Sequence, residues 1–368
     1  MPAIETFPLG GMALVRASGG NAVAVVDGRA RDILEGLGCG ANETELAHRH
    51  SAAAGGLAQA SSQIAALKRL WAELSGRSAT AAPADVKAAE DRPPALDAVC
   101  RLGDRPIRLQ IWPRTLARVL AAVTGPCHAP AADVGEATIV VRRVAGRYRL
   151  TVDGSPALAT RDLMLARSEV LRHLVLAAHA DRHWLAVLHG TAVVGPQGAA
   201  LLCGASGSGK STLTGMLVSG GLALATDDYA PIEAGSRAVW PVRFGMSVKE
   251  GSWPLLAPHF PALAKAPVIR TRGRRQRYVT PPAWAAAPAP IRCLVFPLYV
   301  ADEPLGLLRL APEEALALLA RSGGWYESSR ERLAELTRWI GEVPAYALSY
   351  GDGAAAVAAV RRLLAAAA

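Results

Sequence analysis

The chain has 368 residues, 51% hydrophobic but only 5% aromatic, enough core material for two or three domains. No run reads as a membrane-spanning helix, and the N-terminus has no basic segment followed by an apolar stretch, so neither a membrane anchor nor a secretory signal is expected. The net charge of +9 favours anionic partners, and five scattered cysteines without a Cys-x-x-Cys pair argue against a disulfide framework or a zinc site, as in a reducing cytoplasm.

Residues 1–76 are expected to form a small domain. Residues 21–26 read as a strand, closed by the turn pair Asp27-Gly28. Residues 29–37 have helical spacing, with Ile33, Leu34 and Leu37 on one side. Asn42 with Glu45 three positions on is a capping-box variant that starts a second helix. Ser61 or Ser62 would cap a third, in which Ile64, Leu67, Leu70, Trp71 and Leu74 recur at helical intervals. One or more strands followed by three helices is the outline of a winged helix. Residues 77–96, rich in Ala, Pro and charge, read as a linker. Residues 97–165 are expected to be a small β-rich segment, with strands at 107–112, 137–144 and 148–152; Ala145-Gly146-Arg147 would join the last two. A helix over 163–180 and a strand at 185–188 lead into a catalytic domain covering 166–368.

Residues 199–203, Ala-Ala-Leu-Leu-Cys, are a buried-type strand. Gly204-Ala205-Ser206-Gly207-Ser208-Gly209-Lys210-Ser211 follows, and Thr212 opens a helix. Strand, glycine-rich loop and helix in this order form a P-loop. Glycines let backbone N–H groups wrap a phosphate, and the helix N-terminus adds positive dipole. Lys210 would reach the β- and γ-phosphates and the Ser211 hydroxyl would ligate Mg²⁺, so ATP or a close relative with magnesium is the expected ligand. The strand at 222–226 ends in Asp227-Asp228, a Walker-B-like pair. One carboxylate can hold the metal and the other can act as a base; an acidic turn is the bland alternative. Gly221 reads as the C-cap of the intervening helix.

Two further features stand outside that core. His179 and His183 have metal-ligand spacing, but a histidine pair at a helix C-terminus explains them without a metal. The run Arg270 to Arg277 contains Arg272, Arg274, Arg275 and Arg277 and no acid. It reads as a solvated loop, or as a loop that orders over the triphosphate or grips an acidic peptide, with nucleic acid as a weaker option.

His189-Gly190, the segment 204–212, Gly221 and Asp227-Asp228 together resemble the catalytic domain of HPr serine kinases and their relatives. The resemblance covers about residues 130–368 and is strongest over 185–230. The segments 244–250, 277–282, 291–300 and 343–348 look like those of HPr-kinase-related proteins found near peptide-modification genes. The resemblance implies an α/β fold: a P-loop kinase domain with a mixed sheet flanked by helices. It implies Asp228 as general base on an acceptor serine, His189 and Asp227 as assistants, Lys210 on phosphate, and Ser211 and Asp228 on Mg²⁺. The Glu-containing signature of true HPr kinases is missing after the P-loop, which leaves Glu250 as the nearest second metal ligand and puts action on HPr itself in doubt. The N-terminal segment resembles PqqD-like domains, which bind a leader peptide by adding it as a strand to an open edge.

The expected protein is then a tailoring kinase, whose N-terminal domain holds a precursor peptide while the P-loop domain phosphorylates one of its serines. Removing residues 1–76 would raise KM far more than it lowers kcat. A kinase of a small hydroxyl metabolite is one alternative. An ATP-gated DNA-binding regulator, with Lys68 and Arg69 on phosphates, is another. No membrane partner is expected; homo-oligomers are common among HPr-kinase relatives.

Overall fold

A computed structural model describes residues 4–18, 22–76, 92–130, 134–271 and 273–366. Most of the expected linker and Arg272 fall outside them. The protein is mixed α/β, with several mixed sheets flanked by helices.

Strands Ile4–Leu9, Met12–Ala17 and Val23–Asp27 form an antiparallel sheet, followed by helices Gly28–Gly38, Glu43–Ala54 and Leu57–Gly76. Two strands therefore precede the expected one. Asp27 does not make a turn with Gly28: its carboxylate caps the first helix, accepting the Ala30 N–H at 2.7 Å. Asn42 caps the second helix through the Thr44 N–H at 2.8 Å, while Glu45 accepts from Arg49 at 3.0 Å instead of closing a capping box. The third helix starts before Ser61 and Ser62, because Gly55 and Gly56 at φ 84° and 127° reverse the chain just ahead of Leu57.

The strands of this sheet bury both faces by simple alternation. Ala13, Val15, Ala17 and Val26 pack on Leu34, Trp71 and Leu74 of their own helices. Phe7 and Leu14 face the other way and share a core with Leu316, Leu319, Leu333, Leu336 and Ile340. Those five residues belong to helices Pro312–Ser322 and Arg330–Glu342. Glu5 extends the contact with an ion pair to Arg330 at 3.6 Å.

The next layer is a five-stranded sheet in chain order: Leu96–Arg101, Pro106–Ile111, Ala137–Val144, Arg147–Val152 and Ser155–Thr160. Pro106–Ile111 and Ala137–Val144 run parallel, as their connection through helix Arg114–Thr124 allows. The hairpin turn falls at Ala145 and Gly146, both at positive φ. Helix Leu163–Ala178 covers this sheet; Val170, Leu171 and Leu174 lie in its core. It stops before His179, so His179 and His183 do not share a helix face. Among the described residues no cluster of three or more His, Cys, Asp or Glu could hold a metal, and all five cysteines are free. No described helix is long and apolar enough to cross a membrane.

A ten-stranded sheet carries the glycine-rich loop. The fully buried strand Gly198–Cys203 lies between Gly190–Gly195, antiparallel to it, and Ala289–Tyr299, parallel to it. Ala289–Tyr299 also runs parallel to Ala345–Tyr350. Helix Lys210–Ser219 follows the loop, and strand Ala223–Thr226 pairs with Gly190–Gly195 in the register Ala192↔Thr226. At its other end the main path of the sheet runs through Trp184–Leu188 to the short edge strand Gly324–Tyr326. The arginine run is not a loop. It forms a hairpin of Ile269–Thr271 and Arg274–Val279, paired on its far side with Met246–Lys249.

Candidate functional site

The loop between Gly198–Cys203 and Lys210–Ser219 is shaped by glycine. Gly204, Gly207 and Gly209 all have positive φ. At Gly209 a Cβ would lie 2.6 Å from the Tyr350 hydroxyl and 2.8 Å from the Tyr299 Cβ, so a side chain there would push the loop off its support. The two tyrosines hold the loop from below. The Tyr299 N–H donates to the Ser208 carbonyl at 3.0 Å, and the Tyr350 hydroxyl donates to the Gly209 carbonyl at 3.2 Å.

Lys210 is buried at the first turn of the helix, and its Nζ donates to the Gly204 carbonyl at 2.8 Å. It makes no direct ion pair among the described residues, and its charge acts on Asp227 and Asp228 from a distance. Among the described residues the buried Ser208 hydroxyl has no hydrogen-bond partner. A buried ammonium with no carboxylate in contact and an unsatisfied hydroxyl in one loop are what a bound phosphate would complete. A cavity of about 620 Å³ opens over the loop, lined by Lys210, Ser211, Thr212, Lys249, Tyr299 and Asp352. That size suits a nucleotide-sized ligand.

Two further cations reach the loop. Lys249 Nζ donates to the Ser206 hydroxyl at 3.1 Å, and Arg274 bonds the same oxygen. Arg275 and Arg277 have partners elsewhere. Arg275 pairs with Glu250. Arg277 stacks 4.4 Å over the Trp253 ring and donates to the Ala264 carbonyl at 2.8 Å. Glu250, expected as a second metal ligand, is thus engaged by Arg275 at the surface. Arg272 lies outside the described residues.

The acids sit at the end of Ala223–Thr226. The Ala192↔Thr226 register brings Thr191 beside Asp227. The Thr191 hydroxyl donates to Asp227 Oδ1 at 2.6 Å, and the Ser247 N–H donates to Oδ2 at 2.7 Å. Asp227 is buried, and burial together with the Asp228 charge pushes its carboxyl up to about 6.

Asp228 has φ 67°, a left-handed conformation that Asp tolerates better than most residues. Its Oδ2 lies 3.3 Å from the guanidinium of Arg167, a buried residue of helix Leu163–Ala178. Burial opposes its charge, but Arg167, then His189 and Lys210, outweigh that and hold the carboxyl below the usual carboxylate value. Asp228 is therefore the first of the pair to ionise as pH rises. His189 Nδ1 is 3.1 Å from the Asp228 carbonyl oxygen. A carbonyl only accepts, so Nδ1 carries a proton and directs it at that oxygen.

Asp228 and His189 line a second cavity of about 250 Å³, with Glu169, Arg172, Tyr229 and Trp325. Lys210 and Ser211 thus line one cavity and Asp228 and His189 the other, while Asp227 lines neither; the Lys210 charge acts on both acids. Hard oxygen donors, the Ser211 hydroxyl and the Asp228 carboxylate, have the chemistry that suits Mg²⁺. Arg167, Thr191, Ser247 and Lys249 were not foreseen. Residues 244–250 drew notice without a role for Ser247 or Lys249, and Arg167 is one arginine in an otherwise ordinary helical pattern.

Set against known proteins, the chain matches no protein-family model and no curated protein. The functional reading rests on the geometry of these side chains.

Proposed function

We propose that the protein is an ATP-dependent kinase that phosphorylates a serine hydroxyl of a ribosomally made precursor peptide or small protein. In this reading the P-loop domain is of the HPr-kinase type, and residues 1–76 are a winged-helix-like, PqqD-like peptide-recognition domain. The observation that carries it is the pairing of two cavities: one over Lys210 and the glycine loop, one against Asp228 and His189. Plain hydrolysis would use the same groups with water in place of serine, and water needs no second cavity of that size.

The chemistry follows from the charges. A serine hydroxyl is a weak nucleophile, and the ionised Asp228 carboxylate accepts its proton as the oxygen attacks the γ-phosphorus. The bond from that phosphorus to the β,γ-bridging oxygen breaks, and ADP leaves. Lys210 stabilises charge on the transferring phosphoryl group, with Lys249 and Arg274 beside the loop. The Ser211 hydroxyl and the Asp228 carboxylate would hold Mg²⁺, which would supply positive charge against the phosphates. Asp227, fixed by Thr191 and Ser247, sets the position of the turn that carries Asp228.

The N-terminal sheet has edge strands Ile4–Leu9 and Val23–Asp27, each paired on one side only among the described residues. Such an edge suits strand addition by a leader. The DNA-binding alternative loses support, because Lys68 is paired with Glu43. The test is intact-mass analysis of a precursor peptide incubated with the protein, ATP and Mg²⁺. The expected result is the gain of one phosphoryl group, abolished by Lys210→Ala. Asp228→Asn should lower kcat by roughly 10²–10⁴-fold while nucleotide affinity changes only a few-fold. ATP hydrolysis with an unmodified peptide would reject peptide phosphorylation.

A further inference from the structure

We infer that the acceptor is an extended peptide segment that adds as a strand to the open edge of Gly324–Tyr326, which directs its serine toward Asp228. This rests on the kinase reading and names how that site takes its second substrate.

The edge follows from the hydrogen bonds. The His189 N–H donates to the Gly323 carbonyl at 3.0 Å, and the Glu327 N–H donates to the Leu185 carbonyl at 3.4 Å. Trp325 sits opposite Val187 between these two pairs. In an antiparallel ladder, alternate residues turn their backbone groups to the same side. Gly323, Trp325 and Glu327 turn theirs toward Trp184–Leu188. Gly324 and Tyr326 turn theirs outward, where the sheet ends. Unpaired strand edges are templates for another chain.

The cavity beside this edge supplies the second observation. Trp325 and Gly324 form its wall, and Asp228 and His189 line it. Its volume of about 250 Å³ falls below the ~300–1,000 Å³ of pockets that enclose whole small molecules. It accommodates a side chain presented from outside better than a free metabolite. A strand laid on the edge places alternate side chains on the Trp325 face, over the cavity. The rim charges cancel: Arg172 donates to Glu169 at 2.5 Å and lies 5.9 Å from the Trp325 ring. The residue two positions from the serine, on the same face, therefore meets an aromatic ring and a neutralised ion pair. An uncharged, apolar residue fits there.

The probe is a synthetic linear peptide with one serine in an alanine background and leucine two positions to either side. It is used at millimolar concentration with the full-length protein, ATP and Mg²⁺, so that concentration replaces tethering. A second set carries single backbone N-methyl groups along the chain. Each N-methyl that removes a ladder hydrogen bond should lower kcat/KM about fivefold, as expected for a bond of ~1 kcal/mol, and sensitive positions should alternate with insensitive ones. Trp325→Ala should raise the peptide KM about tenfold or more, with nucleotide Kd unchanged. Transfer that ignores both N-methylation and Trp325→Ala overturns the edge alone and leaves the kinase. Absence of transfer to every linear serine peptide overturns both.

Discussion

Both carboxylate oxygens of Asp227 accept hydrogen bonds, from Thr191 and Ser247, yet burial and Asp228 raise its carboxyl from 3.8 to about 6. A raised carboxyl binds its proton more tightly in the folded state. The stability this confers is fully present below pH 3.8 and is lost as pH rises through 6. Above that, the buried charge costs up to ~3 kcal/mol, at ~1.4 kcal/mol per pH unit. Asparagine can keep both bonds, since the Thr191 hydroxyl can rotate to accept from the new amide. Asp227→Asn should thus melt higher than the parent at pH 8 in metal-free buffer and show no gain near pH 4, while phosphoryl transfer falls. Melting curves at the two pH values decide it, and coincident curves at pH 8 would refute the charge penalty.

At the scale of the element, the arginine-rich hairpin separates residues that sequence treats alike. Along Arg274–Val279, Gln276 and Tyr278 point inward and are buried, while the arginines between them point out. Gly273, at φ 75°, makes the turn. Arg274 at the tip reaches Ser206, whereas Arg277, further down, lies on Trp253. Arg274→Ala should raise the KM for ATP several-fold with little change in melting. Arg277→Ala should leave that KM alone and lower stability by ~0.5–2 kcal/mol, the range for a cation–π contact. Nucleotide titration and denaturant melts of the two variants check this; equal effects on KM would contradict the division.

For the whole molecule, the N-terminal sheet lies between its own helices and the helices Pro312–Ser322 and Arg330–Glu342. Those two helices flank the strand Gly324–Tyr326 beside the Asp228 cavity. Removing residues 1–76 would take Phe7 and Leu14 out of the core they share with Leu316, Leu319, Leu333, Leu336 and Ile340. Leucine-sized side chains lose ~1.5–3 kcal/mol each when fully exposed. The expectation of a change mainly in KM is therefore revised. Truncation should lower the melting temperature by several degrees and reduce kcat as well as raise KM. A truncated protein with parental melting and kcat would mean that the shared core contributes nothing.

The glycine loop and the two acids were legible from residues alone because each is local. A phosphate cradle is built from consecutive backbone N–H groups, and its strand, glycines and helix must adjoin in the chain. The strand–helix outline of the first 76 residues was legible in part, since the helices have a 3.6-residue period. The strands Ile4–Leu9 and Met12–Ala17 were not, because Met12–Ala17 buries residues on both faces and Phe7 and Leu14 pack on helices about 300 residues away. What the acids do depended on distant partners. Arg167 keeps Asp228 charged, while Thr191 and Ser247 hold Asp227; Arg275 takes Glu250 out of the site. Charge state follows from desolvation and from neighbours delivered by sheet order, and neither is written in the spacing of nearby residues.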